Sequence, residues 1–345
     1  MHHLPEVIET EDQLEELLSR PTPGAVQAMK ELEGDLVILG SGGKIGPTLA
    51  QLARRAAKEA GKPARIIGVD KQFSPESKRR LEAAGVETVV CDLLDRDAVA
   101  KLPEAPNVIF MAGMKFGSTG NESLTWAMNA YLPALCAERY RKSRIVVFSS
   151  GNIYHLVPIV RGGSREVDQT APFGEYAQSV LARERMFEYF SRTYGTRVVL
   201  FRLNYAVELR YGILLDIAQK VWTGTAIDVT MGNANVIWQG DVNSQVIQCI
   251  ALAQSPPYIV NIAGPEIISV RTVALRFGEL LGREPRFTGE EAPTALLSNA
   301  SQAHHRFGYP SVPLETIIRY VAHWIKLGGP TLNKPTHYEQ RDGKF

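Results

Sequence analysis

Six short apolar runs, DLVILG (35–40), ARIIGVD (64–70), VETVVCDL (86–93), NVIFMAG (107–113), RIVVFSS (144–150) and RVVLFRL (197–203), alternate with segments of helical composition. The helical segments cover about 47–60, 74–84, 95–101, 121–142 and 174–194. Strands that read as continuous apolar runs are buried on both faces. Alternation of such strands with helices predicts a parallel sheet covered by helices on both sides. The expected fold class is therefore α/β, a doubly wound parallel sheet, spanning 35–204.

Flanking segments behave differently. Residues 1–34 read as an N-terminal helical extension. TEDQLEELLS (10–19) offers a Thr10 cap, an acidic first turn and a Leu14, Leu17, Leu18 stripe, and a second helix covers about 24–33. This extension is expected to pack on the domain or on a partner subunit. After 205 the rhythm loosens into short strands (226–230, 235–238, 258–262) and helices (213–222, 241–254, 269–282, 313–327). That predicts a smaller C-terminal α/β lobe at 205–330, interleaved with the sheet, and an extended polar tail at 331–345.

Composition removes several classes of function. The 345 residues carry a formal net charge of +1, so no global field selects nucleic acid or an anionic membrane. No run of about 18 apolar residues is present, and no membrane span is expected. The N-terminus is acidic and lacks an apolar signal core. Cys91, Cys136 and Cys249 are widely spaced, which predicts neither a disulfide framework nor a metal site and fits a reduced, cytoplasmic setting. His2-His3 and His304-His305 read as surface pairs, the tryptophans as packing residues and Arg202 as a brace at the sheet edge.

The turn after the first strand reads GSGGKIG (40–46). Residues without Cβ are needed where a chain bends sharply and where backbone approaches a pyrophosphate. The helix that follows supplies N–H groups and a positive dipole end, and Pro47 suits its first turn. The second strand ends at Asp70, whose carboxylate can accept both ribose hydroxyls of an adenosine. It also repels a 2′-phosphate, favouring NAD over NADP, although the neighbouring Lys71 weakens that preference.

The spacing GxxGxxG, followed by further landmarks in order, resembles the extended short-chain dehydrogenase/reductase family of NAD-dependent sugar epimerases and dehydratases. The expected fold is then Rossmann-type. The resemblance spans about 35–327. It places Gly40, Gly43, Lys44, Ile45 and Gly46 at the cofactor phosphates. Asp92-Leu93 would lie at the adenine. FMAGMKFGS (110–118) resembles the corresponding segment of UDP-glucose 4-epimerases, so Ala112, Gly113 and Lys115 would lie along the cofactor. Asn129 would steady the strand beside the site. FSSGNIYH (148–155) resembles the family's serine segment and puts the catalytic hydroxyl on Ser150, with Asn152 toward substrate. Tyr176 takes the place of the family tyrosine and Glu184 follows it by eight residues. The implied substrate is a sugar or nucleotide sugar held between the lobes, and the implied assembly is a homodimer through helices 121–142 and 174–194.

Two positions depart from the family pattern. Val180 stands where YxxxK has its lysine, and in RLNYAVELR (202–210) Asn204 is displaced by one, with Tyr205 in its slot and Arg210 near the expected substrate mouth. The family base is a tyrosine phenolate. A free phenol has a pKa near 10, so about a thousandth is ionised at neutral pH, and lowering it by roughly three units amounts to about 4 kcal/mol. Valine supplies no charge for this. Lys115, Arg183 and Arg210 are candidate replacements. In another arrangement Tyr176 is a neutral donor and His155 the base. Three readings stay open: an NAD-dependent oxidoreductase of the epimerase/dehydratase type, a non-catalytic NAD(H)-binding sensor or scaffold, and a lyase or isomerase reusing the pocket.

Overall fold

The computed structural model describes residues 4–115 and 117–344. His2, His3 and Phe116 lie outside them.

The apolar runs form β1 (Leu36–Leu39), β2 (Ile66–Asp70), β3 (Glu87–Val90), β4 (Asn107–Phe110), β5 (Arg144–Ser150) and β6 (Arg197–Leu203). The segment Tyr258–Ile262, expected in the C-terminal lobe, instead joins the main sheet as β7, paired in parallel with β6 from Val199 to Leu203. The seven strands run in the order β7-β6-β5-β4-β1-β2-β3. All neighbours are parallel. The order reverses between β1 and β4, and a crevice opens there at the carboxyl ends of the strands. β1 and β4 are buried throughout, whereas β3 lies at the edge and leaves Val90 66% exposed.

Helices α1 (Glu11–Leu18) and α2 (Pro23–Glu31) precede the sheet. α3 (Gly46–Glu59), α4 (Pro75–Ala83) and α5 (Arg96–Ala100) follow β1, β2 and β3. The segment predicted as one helix over 121–142 comprises α6 (Glu122–Trp126), a π-helical turn (Ala127–Tyr131) and α7 (Leu132–Arg139). α8 (Glu175–Tyr194) connects β5 to β6. The C-terminal lobe carries α9 (Ile213–Thr223), α10 (Gln239–Cys249), α11 (Val270–Leu281), α12 (Ser301–Phe307) and α13 (Leu314–Lys326).

The N-terminal extension packs on its own chain. Leu14, Leu17 and Leu18 of α1 enter the C-lobe core beside Val207 and Trp238, while Ala25 and Met29 of α2 join the core beneath the sheet. Asn243 Nδ2 donates to the Leu18 carbonyl at 3.0 Å. The tail is equally tied down. Thr336 N and Oγ1 donate to Asp216 at 2.8 and 2.6 Å, Tyr338 is buried, and Arg341 donates to the Thr294 carbonyl at 2.7 Å. A Cβ built on Gly174 would fall 2.2 Å from the Gly343 carbonyl oxygen, so the tail ends directly on the start of α8.

Arg202 is a brace, but not at the edge, since β6 lies one strand in from it. Its guanidinium donates from Nε and Nη2 to the two oxygens of Glu184 at 2.9 and 2.8 Å, and from Nη1 to the Tyr154 hydroxyl at 2.6 Å. Burial works against its charge, yet the Glu184 and Tyr154 bonds hold its pKa above the usual arginine value. Both members of this pair are buried, and removing one partner leaves an uncompensated charge. Arg202→Met is expected to lower unfolding free energy by about 3–5 kcal/mol in urea titrations.

Candidate functional site

Close packing dictates the glycine turn after β1. Gly40 has φ +93°, and a Cβ there would fall 2.5 Å from the Ala112 nitrogen at the end of β4. A Cβ on Gly46 would fall 2.4 Å from the Ser41 carbonyl oxygen. Gly43 differs, because a Cβ there would meet only the Gly40 oxygen at 3.5 Å; this side of the turn is open. No side chain caps the start of α3, which leaves its first N–H groups to a ligand. An open glycine beside an uncapped helix start fits a dinucleotide pyrophosphate.

Asp70 Oδ2 accepts from the Gly42 nitrogen at 2.8 Å and pins the turn to the end of β2. Lys71 Nζ lies 2.7 Å from Asp92 Oδ2 and so does not neutralise Asp70. Asp92 also accepts from the Leu94 nitrogen at 3.0 Å, and Leu93 is buried in the core.

A cleft of about 370 Å³ runs from this turn to the ends of β4 and β5. Gly40, Gly43, Lys44, Ile45, Gly113, Lys115, Ser150, Asn152, Tyr176 and Tyr205 all line it. Two of these are half-buried cations. Lys44 Nζ sits 3.5 Å from the centroid of the Tyr211 ring and 3.3 Å from the Ala206 carbonyl oxygen. Burial lowers its pKa, and Glu208 opposes that fall. Lys115 Nζ lies 5.9 Å from the centroid of the Tyr176 ring, and burial lowers its pKa to about 8. An anion in the cleft would favour the charged form of both.

At the far end the predicted catalytic pair meets. The Ser150 Oγ accepts from Asn152 N and Nδ2 at 3.2 and 3.1 Å, and Ser150 and Tyr176 line the cleft together. Burial raises the Tyr176 pKa, while the charge of Arg183 and the nearby Ser150 hydroxyl pull it down. Strand alternation turns Ser149 the other way, and its hydroxyl donates to Glu184 at 2.5 Å. Asn129, on the π-helical turn, accepts from Met114 N at 2.9 Å and donates to Met114 O at 2.8 Å, fixing the chain just past β4. π-turns often mark functional sites. Val180 is fully buried in a cluster with Ile153 and Tyr154. Tyr205 holds φ +42°, a conformation bulky residues rarely adopt.

Two of the proposed stand-ins are elsewhere. Arg210 is bound to Glu15 at 2.8 Å and to Glu11 and Glu208 at 3.3 Å, so the acidic first helix and its own turn capture it; it does not line the cleft. His155 lies past the 3₁₀ turn Gly151–Ile153 and faces a neighbouring pocket of about 500 Å³ with Phe173, Tyr205 and Arg341. The tail supplies residues that sequence reasoning missed. Lys334 and Thr336 line the cleft, and Gln340, Arg341 and Gly343 line the neighbouring pocket. Tyr338, one aromatic residue among polar neighbours, was the only local sign of this packing. Among the described residues no group of three or more His, Cys, Asp or Glu side chains is arranged to hold a metal, and no helix is long and apolar enough to cross a membrane.

Residues 36–207 match the family described as NAD dependent epimerase/dehydratase. No curated protein matches the chain in sequence. Among solved structures, the dTDP-glucose 4,6-dehydratase DesIV of Streptomyces venezuelae is similar with a TM-score of 0.72 and 16% identity, over 85% of this chain and 97% of that one. A UDP-glucose 4-epimerase of Thermotoga maritima is similar with a TM-score of 0.68 and 16% identity, over 85% and 98%. The UDP-glucose 4-epimerase of Thermus thermophilus gives 0.69 and 18%, over 85% and 99%. At these identities the likeness is one of fold.

Asp70→Asn is expected to weaken NAD binding about tenfold and to narrow discrimination against NADP by at least as much, read by calorimetric titration with each nucleotide.

Proposed function

The chain belongs to the NAD-dependent epimerase/dehydratase family, and from that premise we propose that it is an NAD-dependent oxidoreductase of the epimerase/dehydratase type acting on a sugar or nucleotide sugar. The observation that carries this reading is that Ser150 and Tyr176 line one cleft together with the open glycine turn. Proteins of the same fold include a dTDP-glucose 4,6-dehydratase with NAD bound and UDP-glucose 4-epimerases, which supports a nucleotide-sugar substrate.

Gly43, Ile45 and the start of α3 hold the cofactor phosphates, Lys44 and Lys115 face their charge, and Asp70 takes the adenosine ribose. NAD, when bound, supplies a hydride acceptor at its nicotinamide. Ser150 fixes the substrate oxygen, with its own hydroxyl oriented by Asn152. The Tyr176 oxygen takes the proton from that substrate hydroxyl and returns it when the reaction reverses. Tyr205 and Asn152 line both the cleft and the neighbouring pocket, and form the wall between the reacting carbon and the rest of the substrate.

The setting is cytoplasmic, supported by three buried, unpaired cysteines. A second copy packs on α6, α7 and α8, supported by Trp126, Tyr131, Tyr189 and Tyr194, which are 37–54% exposed on that face. Sedimentation equilibrium is expected to give twice the chain mass of 38.1 kDa.

The test of the activity is single-turnover reduction of the nicotinamide in NAD-loaded protein, challenged with nucleotide sugars, free sugars and sugar acids. One substrate class is expected to react, and Tyr176→Phe and Ser150→Ala are each expected to slow it about 100-fold or more. NAD binding without reduction by any class would instead support a non-catalytic NAD(H)-binding sensor or scaffold.

A further inference from the structure

We propose that Arg183 supplies, from the next turn of α8, the positive charge that Val180 cannot, and that ionisation of the Tyr176 phenol depends on it. The inference deepens the proposed function and rests on it for its catalytic meaning.

Tyr176, Val180 and Arg183 lie at i, i+4 and i+7, a single stripe of the helix. Helical side chains lean toward the N-terminus, so a long side chain at Arg183 reaches back over Val180 toward Tyr176. Nη1 donates to the Phe148 carbonyl at 2.8 Å and Nη2 to Asn129 Oδ1 at 2.6 Å. The residue lines the same cleft as Ser150 and Tyr176, and its Nε is buried without a protein partner.

Two neighbours make room for it. A Cβ on Gly113 would fall 2.0 Å from Arg183 Nη2, so any other residue there would expel the guanidinium. Val180 turns its short side chain into the Ile153 and Tyr154 cluster. A lysine at Val180 would add a second buried cation beside the first.

Lys115 is the competing cation in the cleft. Its ammonium sits on a flexible stem with Nζ 5.9 Å from the centroid of the Tyr176 ring. Burial lowers the Arg183 pKa too, but a guanidinium starts far above neutrality, and Arg183 is held by two bonds as well as by packing. Arg183 touches neither the reacting atoms nor Ser150 in this arrangement, so it is a positioning residue acting through Tyr176.

The experiment is ultraviolet titration of the Tyr176 phenol, taken as the difference between otherwise identical proteins with and without Tyr176→Phe, in the presence of NAD. Arg183→Gln is expected to raise the phenol pKa by about one unit or more, a tenfold loss of phenolate at a given pH. Arg183→Lys should retain most of the ionisation, and Val180→Lys should recover it in the Arg183→Gln background. Lys115→Met should change it little. An unchanged phenol pKa in an Arg183→Gln protein that still binds NAD would overturn the proposal, and so would a larger shift from Lys115→Met. If Arg183→Gln does not fold, the comparison passes to Arg183→Lys and to the Val180→Lys/Arg183→Gln pair, and loss of ionisation in both overturns it. The titration needs no substrate. A pKa that follows Arg183 in a protein that reduces no NAD would uphold this inference and defeat the oxidoreductase reading.

Discussion

The Glu184 carboxylate is the junction on which the site depends. It accepts from Ser149 on β5 and from Arg202 on β6. Three elements are thereby fixed at one buried point. Each neighbour of that point in sequence is then placed by simple periodicity. Ser149 faces the helix, so Ser150 faces the cleft. Glu184 faces the sheet, so Arg183 lies a residue away, beside the end of β4. A charge with this much burial is tolerated only when every oxygen has a donor. The same requirement makes the junction rigid enough to aim Ser150 and Tyr176.

Electrostatics divide the cleft into two ends. Lys44 at the glycine turn and Lys115 past the end of β4 are half-buried cations, and burial pulls both toward the neutral form. This is an unfavourable place for positive charge in the free protein and a favourable one for a pyrophosphate. At the catalytic end, burial holds the Tyr176 proton on, and only Arg183 and Ser150 oppose that. One end is therefore poised to gain an anion and the other to resist becoming one. The proposed reaction would require the second resistance to be overcome, which is why the position of a single guanidinium matters to it.

The segments outside the core pattern close this cleft. The first helix captures Arg210 with Glu11 and Glu15 and buries three leucines against the C-terminal lobe. The tail crosses from Arg210 to Asp216 and ends on Gly174, directly ahead of the tyrosine helix. Both termini thus hold the two lobes together around the site. Tail side chains form part of its walls, so the pocket's shape is set in part by residues more than a hundred positions from the catalytic pair.

Short-range pattern determined what it had physical access to. Strand and helix periodicities disclosed the sheet, its helices and the tail's lack of regular structure. The glycine turn and Asp70 stood out because backbone geometry and charge at those points call for particular residue types, whereas Ser150 and Tyr176 stood out through resemblance to the family's motifs. The tertiary structure alone decided that Tyr258–Ile262 completes the main sheet and that Lys71 turns to Asp92, away from Asp70. It also sent Arg210 to α1 and His155 to the adjoining pocket, and drew the polar tail over the site. Arg183 shows why most plainly. Its partner Asn129 is 54 positions away, and the space it fills exists because Gly113 lacks a side chain. No local rule reports such a distance or such a gap. Periodicity states which way a side chain faces, but what it meets there depends on how distant segments pack.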